Sequence, residues 1–261
     1  YLASRREVSL ISIITGISMT GVTLGVAALI VVLSVMNGFY DFVRDLLVSL
    51  DPHVRVVAAD GQGVTNADSL LRLARETKHV TAAAPYVEGK ALLLTRTGSE
   101  ANRVVRVRGV DPAMMDATAP PMAQGAFDVA RGPDGTPGIV LPRRLGRRTG
   151  ALPAAAGQAA QAVGVLSAPA IEHTLTNVFA SPPLRRFDVR GLYHIQGAAT
   201  GPQVFVSLSE AQRLFGTDDH VTGIDLRLDD LEQASAVKAA LQQRLDAGRY
   251  AVRTWYDTGE I

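Results

Sequence analysis

The stretch Val8–Tyr40, VSLISIITGISMTGVTLGVAALIVVLSVMNGFY, holds no Asp, Glu, Lys, Arg or His. As a helix rising 1.5 Å per residue it would be roughly 50 Å long, against a bilayer hydrocarbon core of about 30 Å. Its hydroxyls, among them Ser12, Thr20, Thr23 and Ser34, do not forbid insertion, because a helical Ser or Thr can bond back to its own carbonyls. The competing readings are a cleaved signal and a buried core helix. A signal core is about 7–15 apolar residues long and ends at small residues. This stretch runs on into Phe39, Tyr40 and Phe42. A soluble helix of this length would need an exceptionally large core. The sequence therefore predicts a membrane anchor.

Working outward, Gly16, Gly21 and Gly25 fall on related helix faces, and Gly21 and Gly25 make a small-xxx-small pair that lets helices approach closely. Glycine is common in membrane helices in any case. Beyond the apolar run, Phe39, Phe42, Val43, Leu46, Leu47 and Leu50 recur at three- and four-residue steps, with Asp41, Arg44 and Asp45 between them. The helix should continue as an amphipathic stalk to about Leu50, where Asp51-Pro52 ends it. Gly38 is its weakest point, since glycine costs about 1 kcal/mol inside a helix.

The remainder is long enough for one or two folded domains among 261 residues, 47% of them hydrophobic. A net charge of +1 argues against a nucleic-acid partner. The chain has no cysteine, which excludes disulfides and thiolate metal sites and leaves the redox compartment open. It starts at Tyr1 and stops at Ile261, which reads as a fragment of a longer protein. Arg5 and Arg6 precede the span, while Arg44 and Arg55 follow it, so positive charge favours an inside N-terminus only slightly.

A strand is predicted at His53–Ala59, and two or three more follow at Val80–Val87, Lys90–Thr95 and Arg103–Val110, where Val105 and Val107 alternate with Arg106 and Arg108. A helix should run to about Lys78, capped by Thr65 or Asn66, and Thr97-Gly98-Ser99 should turn a hairpin. From Asp111 to Gly201, prolines and glycines cluster around short apolar runs at Ile139–Leu141, Val163–Leu166 and Phe187–Tyr193. That middle reads as a smaller, strand-rich subdomain. The chain then returns to α/β patterning. A strand at Val204–Val206 precedes a helix with a Ser209/Gln212 capping box and a Gly216 stop. Next come a strand at Ile224–Leu228, a helix at Leu231–Leu245 closed by Gly248, and a strand at Tyr250–Trp255. The fold class is α+β: flank 1–7, span and stalk 8–50, a core built from 51–110 and 202–261, and an inserted subdomain at 111–201.

The usual catalytic signatures do not occur. There is no phosphate loop, no G-x-S-x-G elbow and no metal spacing among His53, His79, His173, His194 and His220, each of which reads as a surface or loop histidine. Arg143, Arg144, Arg147 and Arg148 form the densest basic cluster. It offers either a patch for an anionic partner or the solvated face of a short helix, and no aromatic interleaving supports nucleic-acid stacking. The Asp218-Asp219 and Asp229-Asp230 pairs read as turn and helix-start residues.

LGVAALIVVLSVMNGF (Leu24–Phe39) resembles the first membrane helix of the LolC/LolE permeases, the lipoprotein-releasing branch of the MacB/FtsX-like ABC transporters. APYVEGKAL (Ala84–Leu92), VRGVDP (Val107–Pro112), GIVL (Gly138–Leu141), FVSLSEAQRLF (Phe205–Phe215), VTGIDLRL (Val221–Leu228) and WYD (Trp255–Asp257) follow in family order. After Tyr193 the chain carries HIQGAATG (His194–Gly201), where many relatives have an acidic, tyrosine-containing segment. The resemblance implies a MacB periplasmic core-like domain with the N-terminus in the cytoplasm, on a non-enzymatic permease subunit of the inner membrane. It implies no cofactor on this chain, ATP being held by a separate cytoplasmic ABC ATPase. It also implies a second homologous permease, in a homo- or heterodimer, a periplasmic carrier and a lipoprotein substrate. Efflux of the MacB kind, control of cell-wall hydrolases of the FtsX kind, and a non-transporting anchored sensor are the alternatives. In LolC-type relatives a projecting hairpin hooks the carrier at the position of Ala170–Arg186. The resemblance places the matching residues at Pro182 and Arg185, with Pro183 and Arg186 beside them. An ordinary long loop whose prolines protect a sheet edge is the alternative.

Overall fold

The computed structural model describes residues 2–48, 52–95, 102–111, 119–154, 160–171, 184–194, 201–255 and 257, with side chains of the first helix described over 12–39. The chain divides into two units, Tyr1–Ser49 and Leu50–Ile261. The first is one helix, α1 (Leu2–Val48). Its Ser12–Phe39 portion is long and apolar enough to cross a membrane, and none of it is buried within the chain. Thr20 Oγ1 donates to the Gly16 carbonyl and Thr23 Oγ1 to that of Met19, both at 2.8 Å. This is how hydroxyls are satisfied without water. The helix passes Gly38 without a break and stays helical to Val48, two residues short of the expected Leu50, which lies outside the described residues.

In the second unit β1 (Val54–Ala58) is followed by α2 (Ala67–Arg75), β2 (Val80–Leu94) and β3 (Arg103–Val110). Next come β4 (Met122–Gly125), β5 (Gly138–Pro142), α3 (Arg143–Thr149), β6 (Ala162–Ser167) and β7 (Arg185–Tyr193). The chain ends with β8 (Gln203–Ser207), α4 (Leu208–Phe215), β9 (Gly223–Leu228), α5 (Ala234–Arg244) and β10 (Tyr250–Thr254).

β2 organises this unit because it changes partners halfway. Val80–Tyr86 pairs with β9, which continues through β1 to the edge strand β10. Val87–Leu93 pairs with β3, and Ala91–Leu94 pairs with β6 on the opposite side. From β3 the ladder passes to β8, β5, β7 and β6, and so returns to β2. Six strands thus close a small barrel, which removes open edges. Alternate residues fill it, among them Leu93, Val105, Val107, Ile139, Val165 and Phe187, all essentially inaccessible to solvent. The segment 111–201, expected as a subdomain of its own, supplies β4 to β7, and these strands hydrogen-bond to β2 and β8 of the flanking segments. Outside the barrel wall Phe205 meets Phe127 and Tyr193 edge-on at 5.3 and 5.4 Å.

Several local expectations are corrected. Glu88-Gly89 does not separate two strands. Gly89 lies inside β2, where a Cβ would strike the Phe215 ring, so the glycine serves close approach rather than a turn. Asn66 precedes α2 in the left-handed region (φ 58) and makes no side-chain cap, and α2 stops at Arg75 rather than Lys78. The Ser209 capping box does not form, because α4 starts two residues earlier, after Ser207. Leu231–Gln233 is a 3-10 turn capped by Asp230, and α5 ends at Arg244 before Leu245 turns extended. Gly216 does stop α4 in the left-handed conformation. The turn expected at Thr97–Ser99 lies outside the described residues.

His53 is not a surface histidine. It is buried, and its Nδ1 accepts from the Leu228 N–H at 2.9 Å. Burial and the nearby Arg227 charge lower its pKa below the ordinary value, so the folded state holds a neutral ring. As pH falls the unfolded chain takes up the proton first, and stability drops below about pH 6.5. His53→Ala should cost about 1–3 kcal/mol at neutral pH by orphaning that N–H. It should also lose stability less steeply between about pH 7.5 and 5 than the wild type. Melting curves of the two proteins across this range test it, and parallel profiles would refute it.

Candidate functional site at the barrel mouth

β3 and β8 are parallel and both end at the same end of the barrel, where α4 begins directly after Ser207. α4 lies across that end. Its Ala211 and Leu214 are buried, and a Cβ on Gly109 would overlap Ala211. β5 runs antiparallel to β8 and β7 parallel to β5, so β7 starts at this same mouth and β6 ends there. Arg185 stands opposite Val165, two residues before the inward Phe187. Register alone therefore points it to the mouth.

The acidic residue of the mouth is Glu210, on the first turn of α4 and only 1% exposed. Three arginines from three segments converge on it. Arg131 bonds its Oε1, Arg213 donates to the same oxygen at 2.8 Å, and Arg185 approaches Oε2 at 3.7 Å. A buried carboxylate is costly unless paired, and here the pairing is threefold. The arginine side chains stay 40–52% exposed. Arg131 and Arg185, with Arg186, Leu184, Pro137 and Glu210 itself, border an open groove of about 360 Å³. Three guanidiniums meet one carboxylate, which leaves this cluster with a net positive charge.

A second charged constellation lies on the outer sheet face. Arg108, 4% exposed, donates to Glu88 at 2.8 Å and bonds Asp225. Arg55 holds Asp225 at 3.1 Å, and Arg106 approaches Glu88 at 3.5 Å. The Tyr86 ring lies under Arg108 at 4.3 Å and Arg55 at 5.0 Å. Burial works against the Arg55 charge, but Asp225, Tyr86 and Glu88 outweigh it and raise its pKa. Burial pushes the Tyr86 hydroxyl up to about 12, so it stays neutral. These charges answer one another in a chain across β1, β9, β2 and β3. The adjoining cavity of about 30 Å³ has room for about one water. This is bracing rather than a ligand site.

Of the residues read from sequence, Arg185 and Arg186 lie in β7, Arg185 at the mouth, while Pro182 and Pro183 fall outside the described residues. Gly16, Gly21 and Gly25 have no neighbour within 4 Å of where a Cβ would stand. Phe39 is exposed. The side chains of Phe42, Val43, Leu46 and Leu47 lie outside the described residues. Arg147 and Arg148 are exposed on α3, whose Leu145 and Thr149 are buried. Sequence reasoning missed Glu210, Arg131 and Arg213. Glu210 stood in a quoted motif, but nothing in the sequence connects it to Arg131, 79 positions away. Among the described residues no group of three potential metal ligands occurs.

An apolar N-terminal helix long enough to cross a membrane, followed by an α+β unit with a small barrel, defines the class of build. Residues 15–244 match the MacB-like periplasmic core domain, and the chain belongs to that family. It is 31% identical, over 98% of its length, to the lipoprotein-releasing system transmembrane protein LolC of Neisseria meningitidis serogroup B (strain ATCC BAA-335 / MC58). It is 30% identical, again over 98%, to the protein of the same name from Xylella fastidiosa (strain Temecula1 / ATCC 700964). The chain spans 59% and 58% of those two relatives. The crystal structure of the periplasmic region of MacB from Actinobacillus actinomycetemcomitans aligns with a TM-score of 0.47 at 11% identity, over 79% of this chain and 90% of that one.

Proposed function

We propose that this chain is the first membrane helix and periplasmic domain of an inner-membrane permease subunit that releases lipoproteins towards a periplasmic carrier. The observation that carries the reading is the 31% identity to a lipoprotein-releasing LolC across 98% of the chain. ATP is hydrolysed by a separate cytoplasmic ABC subunit and drives the helices of this subunit and a homologous partner permease. The stalk passes that motion to the external domain. The glycine face of α1 packs against another membrane helix. Co-purification of the full-length protein tests the whole reading. An ABC ATPase and a bound lipoprotein should come with it; an ATPase with a small-molecule cargo, or with a cell-wall hydrolase, would replace it by an efflux or hydrolase-regulating role.

The carrier docks on the segment ahead of β7. Pro182 and Pro183 stiffen it and so reduce the ordering cost of binding. Arg185 and Arg186 offer charge-assisted hydrogen bonds to carbonyls or carboxylates. Replacing Pro182 and Arg185 together by alanine should weaken carrier binding by about tenfold or more. Unchanged binding to a normally melting protein would reduce the segment to an ordinary loop.

A further inference from the structure

β2 is one strand shared by two bodies, the sheet β10-β1-β9 and the barrel, and its changeover is held by specific groups. Pro85, which has no N–H to give a ladder, and Tyr86 end the pairing with β9, and Val87 begins the pairing with β3. Where β9 falls away, the Thr222 N–H donates to the Tyr86 carbonyl and the Thr222 hydroxyl accepts from the Glu88 N–H, both at 2.9 Å. Along β1 and β9, alternation sends Val54, Val56, Ile224 and Leu226 into the core, and Arg55, Asp225 and Arg227 to the opposite face of the sheet. On that face the cavity of about 30 Å³ marks the seam between the two bodies. Pro52, Pro85 and Asp225 line it from the sheet side, Val110, Gln203 and Phe205 from the barrel side.

Arg108 crosses this seam. It springs from β3 in the barrel wall, lies 4.3 Å over the Tyr86 ring at the changeover, donates to Glu88 at 2.8 Å and bonds one oxygen of Asp225 on β9. Arg55 of β1 holds the other oxygen of Asp225 at 3.1 Å. A charge-linked path thus leads from the barrel to β1, whose first residue, Val54, follows the end of α1 at Val48 by six positions. Two bodies joined through one strand bend most easily about that strand, and a tie set off the strand opposes the bending. The guanidinium suits this task, because its rigid fork engages two carboxylates in fixed directions. We propose that Arg108 and Asp225 clamp the sheet to the barrel at a fixed angle, so that motion delivered at β1 moves the barrel with it. This rests on the permease reading above and names the residues through which the external domain passes motion on. Both are positioning residues, and neither touches the cargo.

The test uses the full-length protein in nanodiscs with its ATPase and partner permease, on a cysteine-free background. Spin labels at Arg253→Cys on β10 and Arg147→Cys on α3, both exposed positions, report the distance between sheet and barrel by pulsed electron resonance. With the clamp intact the distribution should be single and narrow. Arg108→Lys keeps a cation beside Glu88 but has no second arm for Asp225, and Asp225→Asn keeps the shape while removing the charge. Each should broaden the distribution and lower the lipoprotein released per ATP hydrolysed by about fivefold or more, with the ATPase rate unchanged. Arg244→Ala, which loses only an exposed pair with Glu76 at 3.5 Å, should match the wild type in both readings. Every variant is measured below its own melting temperature, which separates lost coupling from lost fold. Narrow distributions in both clamp variants would refute the clamp, and broad ones with undiminished release would refute its part in coupling. If the unsubstituted complex hydrolyses ATP and releases no lipoprotein, the permease reading fails, and the distances still judge the clamp.

Discussion

Arg108→Met should destabilise the external unit by about 3 kcal/mol, which in a domain of this size lowers the melting temperature by about 6–12 °C. The reason is not the value of the ion pairs as such, since burying two charges costs nearly as much as their attraction returns. The loss comes from what remains. Glu88 and Asp225 would lose their most buried cation, keeping Arg106 at 3.5 Å and Arg55 at 3.1 Å with the charge of Arg227 beside Asp225, and the Tyr86 face would lose its nearer cation. Adding Glu88→Gln and Asp225→Asn to the variant should recover part of the loss, because neutral amides cost far less to bury than unpaired carboxylates. Thermal or urea denaturation of the three proteins checks this. A change within about 0.5 kcal/mol, typical of surface positions, would mean that Arg108 is solvated after all.

On the function proposed above, Leu46→Pro should abolish lipoprotein release while leaving membrane insertion intact. Position 46 lies in the last turn of a helix that runs unbroken from Leu2 to Val48, beyond the apolar portion ending at Phe39. Proline there removes the bond to the carbonyl four residues earlier and clashes with it, costing about 3 kcal/mol or more. A bent or frayed stalk transmits less of any motion arriving from the membrane. Fractionation should find the variant in the membrane at wild-type levels, and reconstituted release should fall to background. A fully active variant would remove the stalk from the mechanism.

The membrane helix was legible from composition alone, because a bilayer reads length and apolarity and both are local properties of Val8–Tyr40. Most strands were equally legible. Arg103–Val110 was found to the residue, since alternation with period two is written in the chain whatever it pairs with. Caps were less so. Ser209 had the right spacing with Gln212, yet the helix starts after Ser207, where β8 ends and the chain must turn across the barrel. The glycine of Glu88-Gly89 looked like a break, and only the ring of Phe215 explains it.

By itself, then, the sequence determined the apolar helix, the α+β class, the order of most elements (the short strand at Met122–Gly125 escaped it) and, through its motifs, the family. Those follow from short-range pattern. Tertiary structure decided that one long strand serves two sheets' worth of partners, that six strands close into a barrel, and that Arg108 is buried. It also decided that Arg131, Arg185 and Arg213 meet at Glu210. Each of these depends on which residues far apart in the chain become neighbours, and pairing register, not local periodicity, sets that.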